Sequence, residues 1–133
     1  MANFSVDQLI GIAQQFHDLS FIVSQFRLDR IHGGTPLDDP EIVQLLGLQL
    51  GLLNTSSSFY VQAAHVTLAD ADQAAAQITA ATKEAASAIK TLQVISKVVN
   101  IASAAGVLAT AIMTGDMNQI GDAAKGVYTA ISG

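Results

Sequence analysis

The chain has 133 residues and a formal net charge of −5, from six Lys and Arg against eleven Asp and Glu. Half of it is hydrophobic, 13% is charged and the mean hydropathy is +0.42, so there is no basic face for nucleic acid or for polybasic membrane attraction, and 5% aromatics leave base stacking unsupported. Without cysteine there can be no disulfide, thiolate metal site or cysteine nucleophile.

From Leu52 to Ala105 there is neither glycine nor proline. Such a run of alanine, aliphatic and small polar residues predicts one long helix or two stacked ones. Length and pattern together predict one all-α domain over 1–133: an elongated bundle of about four long, alanine-rich helices ending in a helical hairpin. Predicted bounds are 6–31, 40–66, 69–114 and 117–131, with 40–114 as one continuous helix the alternative.

The first helix has a clear start. Ser5 suits an N-cap, Gln8 three residues on completes a capping box, and Phe4 and Leu9 form a hydrophobic staple. Gly33-Gly34 suits its end. Leu9, Ile12, Phe16, Val23 and Phe26 are its expected buried side, and Asp7, Asp18 and Asp29, eleven apart, its solvated stripe.

Asp39-Pro40-Glu41 reads as N-cap, first-turn proline and acidic first turn of the second helix. Gly47 and Gly51 have the spacing that lets helix backbones approach closely, expected here as packing against the first helix. The apolar run 42–53 is too short to span a bilayer, which takes about 20 residues. Asn54 to Ser58 is the expected weak point, because these side chains compete for backbone hydrogen bonds. Thr67 with Asp70 resembles a cap and predicts a break near 66–69.

One coiled-coil register runs through Val43, Leu46, Leu50, Leu53, Ser57, Tyr60, Ala64, Thr67, Ala71 and Ala74, and continues through Ile78, Ala81, Ala85, Ala88, Leu92, Ile95, Val99 and Ala102. These small and medium residues predict a close-packing seam. With Gly47 and Gly51, the positions Ile78, Ala85, Leu92, Ile95, Val99 and Ala102 are the candidate packing or oligomer seam, and Leu92, Ile95 and Val99 its expected core. Lys83, Lys90 and Lys97, seven apart, mark the wet face. Beyond Lys97 that face vanishes. Segment 98–113 is apolar nearly all round, which means burial in protein or lipid. Its candidate membrane positions are Val98, Ile101, Leu108, Ile112 and Met113, with protein burial preferred. Gly115 then suits a helix stop and Asp116 the cap of a last short helix.

The apolar helix, Thr114-Gly115-Asp116 and the short helix together resemble the hairpin of α-helical pore-forming toxins and their accessory components, over the last third of the chain. The resemblance implies a protein that is soluble first and inserts its 98–131 hairpin later. It identifies no functional residues.

Catalytic signatures are not evident. His17, His32 and His65 lack metal-ligand spacing, His17 being expected partly buried and His32 a capping contact. Asp38, Asp39 and Glu41 cluster where capping explains them. No GxSxG, P-loop or GxGxxG occurs. No enzyme, cofactor or metal is expected. The leading expectation is a helical protein that self-assembles or binds a helical partner, and the alternative is membrane activity. A third reading is a small acidic adaptor or immunity-type inhibitor that meets a basic partner. No signal peptide is read at the N-terminus, so the expected location is cytoplasmic, or exported by another route, with membrane association as the variant.

Overall fold

Ser5 accepts the Gln8 backbone N–H while the Gln8 side chain accepts the Ser5 N–H at 2.9 Å, so the capping box starts α1 (Val6–His32) as read. The computed structural model describes residues 2–133, and four more helices follow: α2 (Pro40–Ala63), α3 (Ala71–Thr91), α4 (Ile95–Thr114) and α5 (Met117–Ser132). The chain is all-α with five packed helices, one more than expected. Their contacts close a ring in the order α1, α2, α4, α5, α3, with α3 also touching α4 across it. Inside the ring lies one core cluster, from Phe4 to Val127.

α1 and α2 run antiparallel, joined by three side-chain bonds to backbone carbonyls at heptad spacing on both helices. Ser56 Oγ donates to Ala13 O at 2.8 Å, Ser20 Oγ to Gln49 O at 3.0 Å, and Arg27 Nε to Ile42 O at 3.3 Å. Asp39 caps α2 through the Glu41 and Ile42 N–H groups, and Pro40 occupies the first turn. The expected weak point at Asn54–Ser58 is not a break. Thr55, Ser57 and Ser58 each donate to the carbonyl four residues back, which satisfies their hydroxyls without opening the helix. α1 and α3 run in the same direction, fastened at one end by Gln8 Nε2 to Asp72 Oδ1 at 2.7 Å and at the other by Arg30 Nη1 to Gln93 O at 3.1 Å.

The break expected near 66–69 is present, with Asp70 rather than Thr67 as the cap, accepting the Gln73 N–H. The N-terminal segment straps this turn. Ala2 and Leu68 exchange two backbone bonds of 2.7 Å, and the Asn3 amide donates to Ala64 O and Val66 O. The α4–α5 turn abuts it, so that a Cβ on Gly115 would stand 2.7 Å from Thr67 O. Gly115 adopts φ 69° and Asp116 caps Asn118 and Gln119, as read.

The helix expected over 69–114 is corrected, and the continuous 40–114 alternative with it. Leu92 is extended at ψ 149°, and Leu92-Gln93-Val94 separates α3 from α4 without glycine or proline. The cause is helical phase. At 100° per residue, positions 71, 89 and 107 share one azimuth on a continuous helix. Ala71 and Ile89 are buried, whereas Val107 is 61% exposed. A continuous helix would carry α3's inner face into Ser96, Asn100, Ser103 and Thr110 and bury that polar stripe at the core. The break resets the phase so that Val98, Ile101, Ala105, Leu108 and Ile112 point inward instead.

Candidate interaction surfaces

The residues singled out in the sequence separate into three groups. Ile78, Ala85, Val99 and Ala102 of the seam lie in the core, and so do Val98, Ile101, Leu108 and Ile112 of the candidate membrane segment. Leu92, Ile95 and Met113 are only partly buried against it. Leu92 and Ile95 flank the α3–α4 break, and their core role falls to Ile89 and Val98, which are 1% and 0% exposed. Gly47 and Gly51 do not pack against α1. They face outward, and a Cβ on either would meet nothing within 4 Å.

That last correction exposes a surface. The α2 part of the expected register, Val43, Leu46, Leu50, Leu53, Ser57 and Tyr60, does not form the inner face, which Ile42, Leu45, Leu52, Phe59 and Ala63 supply. Val43, Leu50, Tyr60 and Val61 are instead 47 to 72% exposed, with Leu53 at 38%. Glu41 is the sole charged residue of α2, so the helix presents an uncharged outer face from Val43 to Val61. At 1.5 Å per residue this face is about 27 Å long. Exposed apolar residues scattered singly are ordinary, whereas a gathered apolar patch marks a contact surface; on α2 the exposed apolar side chains gather at Val43 to Leu53 and at Tyr60 and Val61, with exposed Asn54 and Ser57 between them. The sequence carried a signal for it: apolar residues from Ile42 to Leu53 occur all round the helix.

The surface also holds grooves, three of them lined by residues of neighbouring helices. One between α1 and α3, of about 390 Å³, is walled by Phe21, Ile22, Phe26 and Ile89, with Arg30 and Lys90 at its rim. There the Arg30 guanidinium lies 5.9 Å from the Phe26 ring centroid, and its Nε finds no acceptor among the described residues. A wider one of about 760 Å³ separates α3 from α5. A third, of about 540 Å³ on the outside of the α4–α5 hairpin, is lined by Ala104, Val107, Ala111 and Ala123. None gathers a nucleophile and a base within hydrogen-bond reach, and no group of three or more His, Asp or Glu among the described residues has metal-binding geometry.

The histidines stay apart. His17, expected partly buried, is half exposed beside Asp18 at 3.9 Å, the one ion-pair contact among the described residues. His32 and His65 are exposed. At the end of α1 the Gly33 N–H donates to the Asp29 carbonyl and the Gly34 N–H to the Ile31 carbonyl. Asp7, Asp18 and Asp29 form the solvated stripe as read. α4 is the one described helix long and apolar enough to cross a membrane, and half of that stretch is buried within the protein. No protein-family model, curated protein or solved structure matches the chain.

Proposed function

We propose that this protein is a non-catalytic helical module that works by packing the outer face of α2 against a helix of another polypeptide. One observation carries the reading: an uncharged, largely apolar outer face from Val43 to Val61, interrupted by Asn54 and Ser57, on a helix whose opposite face already fills the core. Gly47 and Gly51 support it. On this stripe their missing side chains are not used by the protein's own packing, and they leave room for a neighbouring backbone. The serine and threonine hydroxyls of α2 are bonded to its own backbone or to α1, so docking would not strand them.

Photo-crosslinking in the native cell tests this. A benzoylphenylalanine at Val61 or Leu50 should give covalent protein adducts, whereas the same group at Lys125, outside the stripe, should give none. Adducts absent at both α2 positions would sink the reading.

Membrane activity is the second reading, favoured by α4. Insertion would require α4 to leave a core in which Val98, Ile101, Ala102, Ala105, Leu108 and Ile112 are fully buried, so it would need a trigger that opens the α4–α5 hairpin. Liposome leakage that survives Val99→Lys and Leu108→Lys would exclude it. Circular dichroism must accompany that test, because either change also buries a charge in the folded protein.

A further inference from the structure

The chain has six cationic side chains against eleven carboxylates, and the six are not spread evenly. Arg30 and Lys90 stand on the two walls of the α1–α3 groove. A second hollow of about 490 Å³ shares Phe21, Ile22 and Lys90 with it and adds Lys83. Half of the cations therefore line one seam of a protein whose net charge is −5. Among the described residues none of the three lies within ion-pair distance of a carboxylate, the one such contact being His17 with Asp18. The other two grooves differ. In the α3–α5 groove Lys125 sits with Asp70 and Asp122, and the outer α4–α5 groove has Asp122 as its one charged lining residue.

Arg30 is held at one nitrogen. Its Nη1 donates to Gln93 O, while Nε is closed off from solvent and has no acceptor among the described residues. A guanidinium nitrogen buried without an acceptor is costly to leave so. Nε and Nη2 share one edge of the guanidinium, and that edge is the two-pronged donor that fits a carboxylate. The floor beneath it is apolar. Ile89 is 1% exposed, Ile22, Phe26 and Leu92 are partly covered, and Phe21 is left 58% exposed. At about 390 Å³ the groove falls in the range of small-molecule sites, about 300–1,000 Å³. An apolar ligand alone would leave the cations unused, and a bare anion would leave the floor uncovered.

We propose that this groove binds a small amphipathic carboxylate of the fatty-acid class. Its head lies at Arg30 and Lys90, and its apolar tail runs along Phe21, Ile22 and Phe26 toward Ala86. A turn of the Arg30 side chain about its Gln93 contact brings Nε to a ligand oxygen, which supplies the missing acceptor. Asp18 and Asp29 line the same seam, so its surplus is a single positive charge. That surplus suits a monoanion better than a dianion such as phosphate. The seam shares no residue with the outer face of α2, so the test below is independent of the packing reading.

Decanoate is titrated into the protein, followed by calorimetry and by backbone amide shifts, with decanol as the uncharged control. The expected result is saturable one-to-one binding of decanoate that shifts the amides of 21–26 and 89–93, with decanol at least about tenfold weaker. Arg30→Gln should weaken decanoate at least about tenfold and leave decanol unchanged. Arg30 also holds the Gln93 carbonyl, so a second variant leaves that bond alone. Asp29→Asn removes a negative charge from the rim and should tighten decanoate about two- to fivefold, again without effect on decanol. Circular dichroism checks the fold of both variants, and Asp29→Asn decides if Arg30→Gln is unfolded. Equal affinity for decanoate and decanol, a folded Arg30→Gln protein that binds decanoate as before, or no saturable binding up to about 1 mM would each overturn the site. Vesicles of an anionic phospholipid form a separate arm. Arg30-dependent binding to them, without binding of dissolved decanoate, would overturn the small-ligand site and give the seam to a membrane surface.

Discussion

α2 and α4 are the two most apolar helices of the molecule, and the fold uses them in opposite ways. α4 touches α2, α5 and α3, and its outer stripe of Ser96, Asn100, Ser103 and Thr110 is polar apart from Val107. α2 packs chiefly on α1 and α4, and its outer face exposes Val43, Leu50, Leu53 and Val61 beside Asn54 and Ser57. Hydropathy does not separate the two. The number of neighbours around each helix does, because an apolar face is satisfied only where another element lies against it. The helix that looks most like a membrane segment is a core helix here, and the helix too short in its apolar run to span a bilayer carries the uncovered face.

The sharpest way to break this contrast is to truncate equivalent leucines. Leu108 is fully buried on α4, so Leu108→Ala should destabilise the protein by about 3–4 kcal/mol. Ile101→Ala should fall in the same range. Denaturant unfolding reads both, and a loss below about 1 kcal/mol would mean that α4 is not the core helix.

Gly115 lies at the turn where the α4–α5 hairpin meets the α2–α3 connection. Gly115→Ala forces a side chain into φ 69° and against Thr67 O, and should lower stability by roughly 2 kcal/mol. Thermal unfolding checks it, and an unchanged midpoint would show that this turn is freely adjustable.

Gly47 tests the other side of the comparison. Sitting in a helix interior with open space around it, Gly47→Ala should raise monomer stability by about 0.5–1 kcal/mol, measured in dilute protein. Destabilisation would mean that a neighbour already occupies that face. The smallest effect belongs to Val61→Lys, expected within about 0.5 kcal/mol of wild type in dilute, monomeric protein because the side chain is 72% exposed. A large loss there would place Val61 in a core.

Much of the architecture was legible before any coordinates. Ser5 with Gln8, Asp39 with Pro40, and Gly115 with Asp116 mark helix ends through local hydrogen bonding and backbone freedom, and each lies where it was read. The break at Leu92–Val94 has no such local signal. It is visible only as a change of phase between the inward residues of α3 and those of α4, and a heptad register of tolerant small residues hides that change. Ile78, Ala85, Val99 and Ala102 of the expected seam lie in the core, whereas Leu92 and Ile95, set beside the break, are only partly covered. At Gly47 and Gly51 the spacing was right for close approach, but which face of α2 turns inward depends on α1, through the bonds at Ser20, Arg27 and Ser56.

The sequence by itself determined the helical class, the sites of capping and the apolar surplus, because these depend on side chains within a few residues of one another. Only the tertiary structure decided how that surplus divides, burying α4 and leaving one side of α2 uncovered. Burial is a property of neighbours distant in the chain, and a five-membered ring of helices has room at its centre for one face of each.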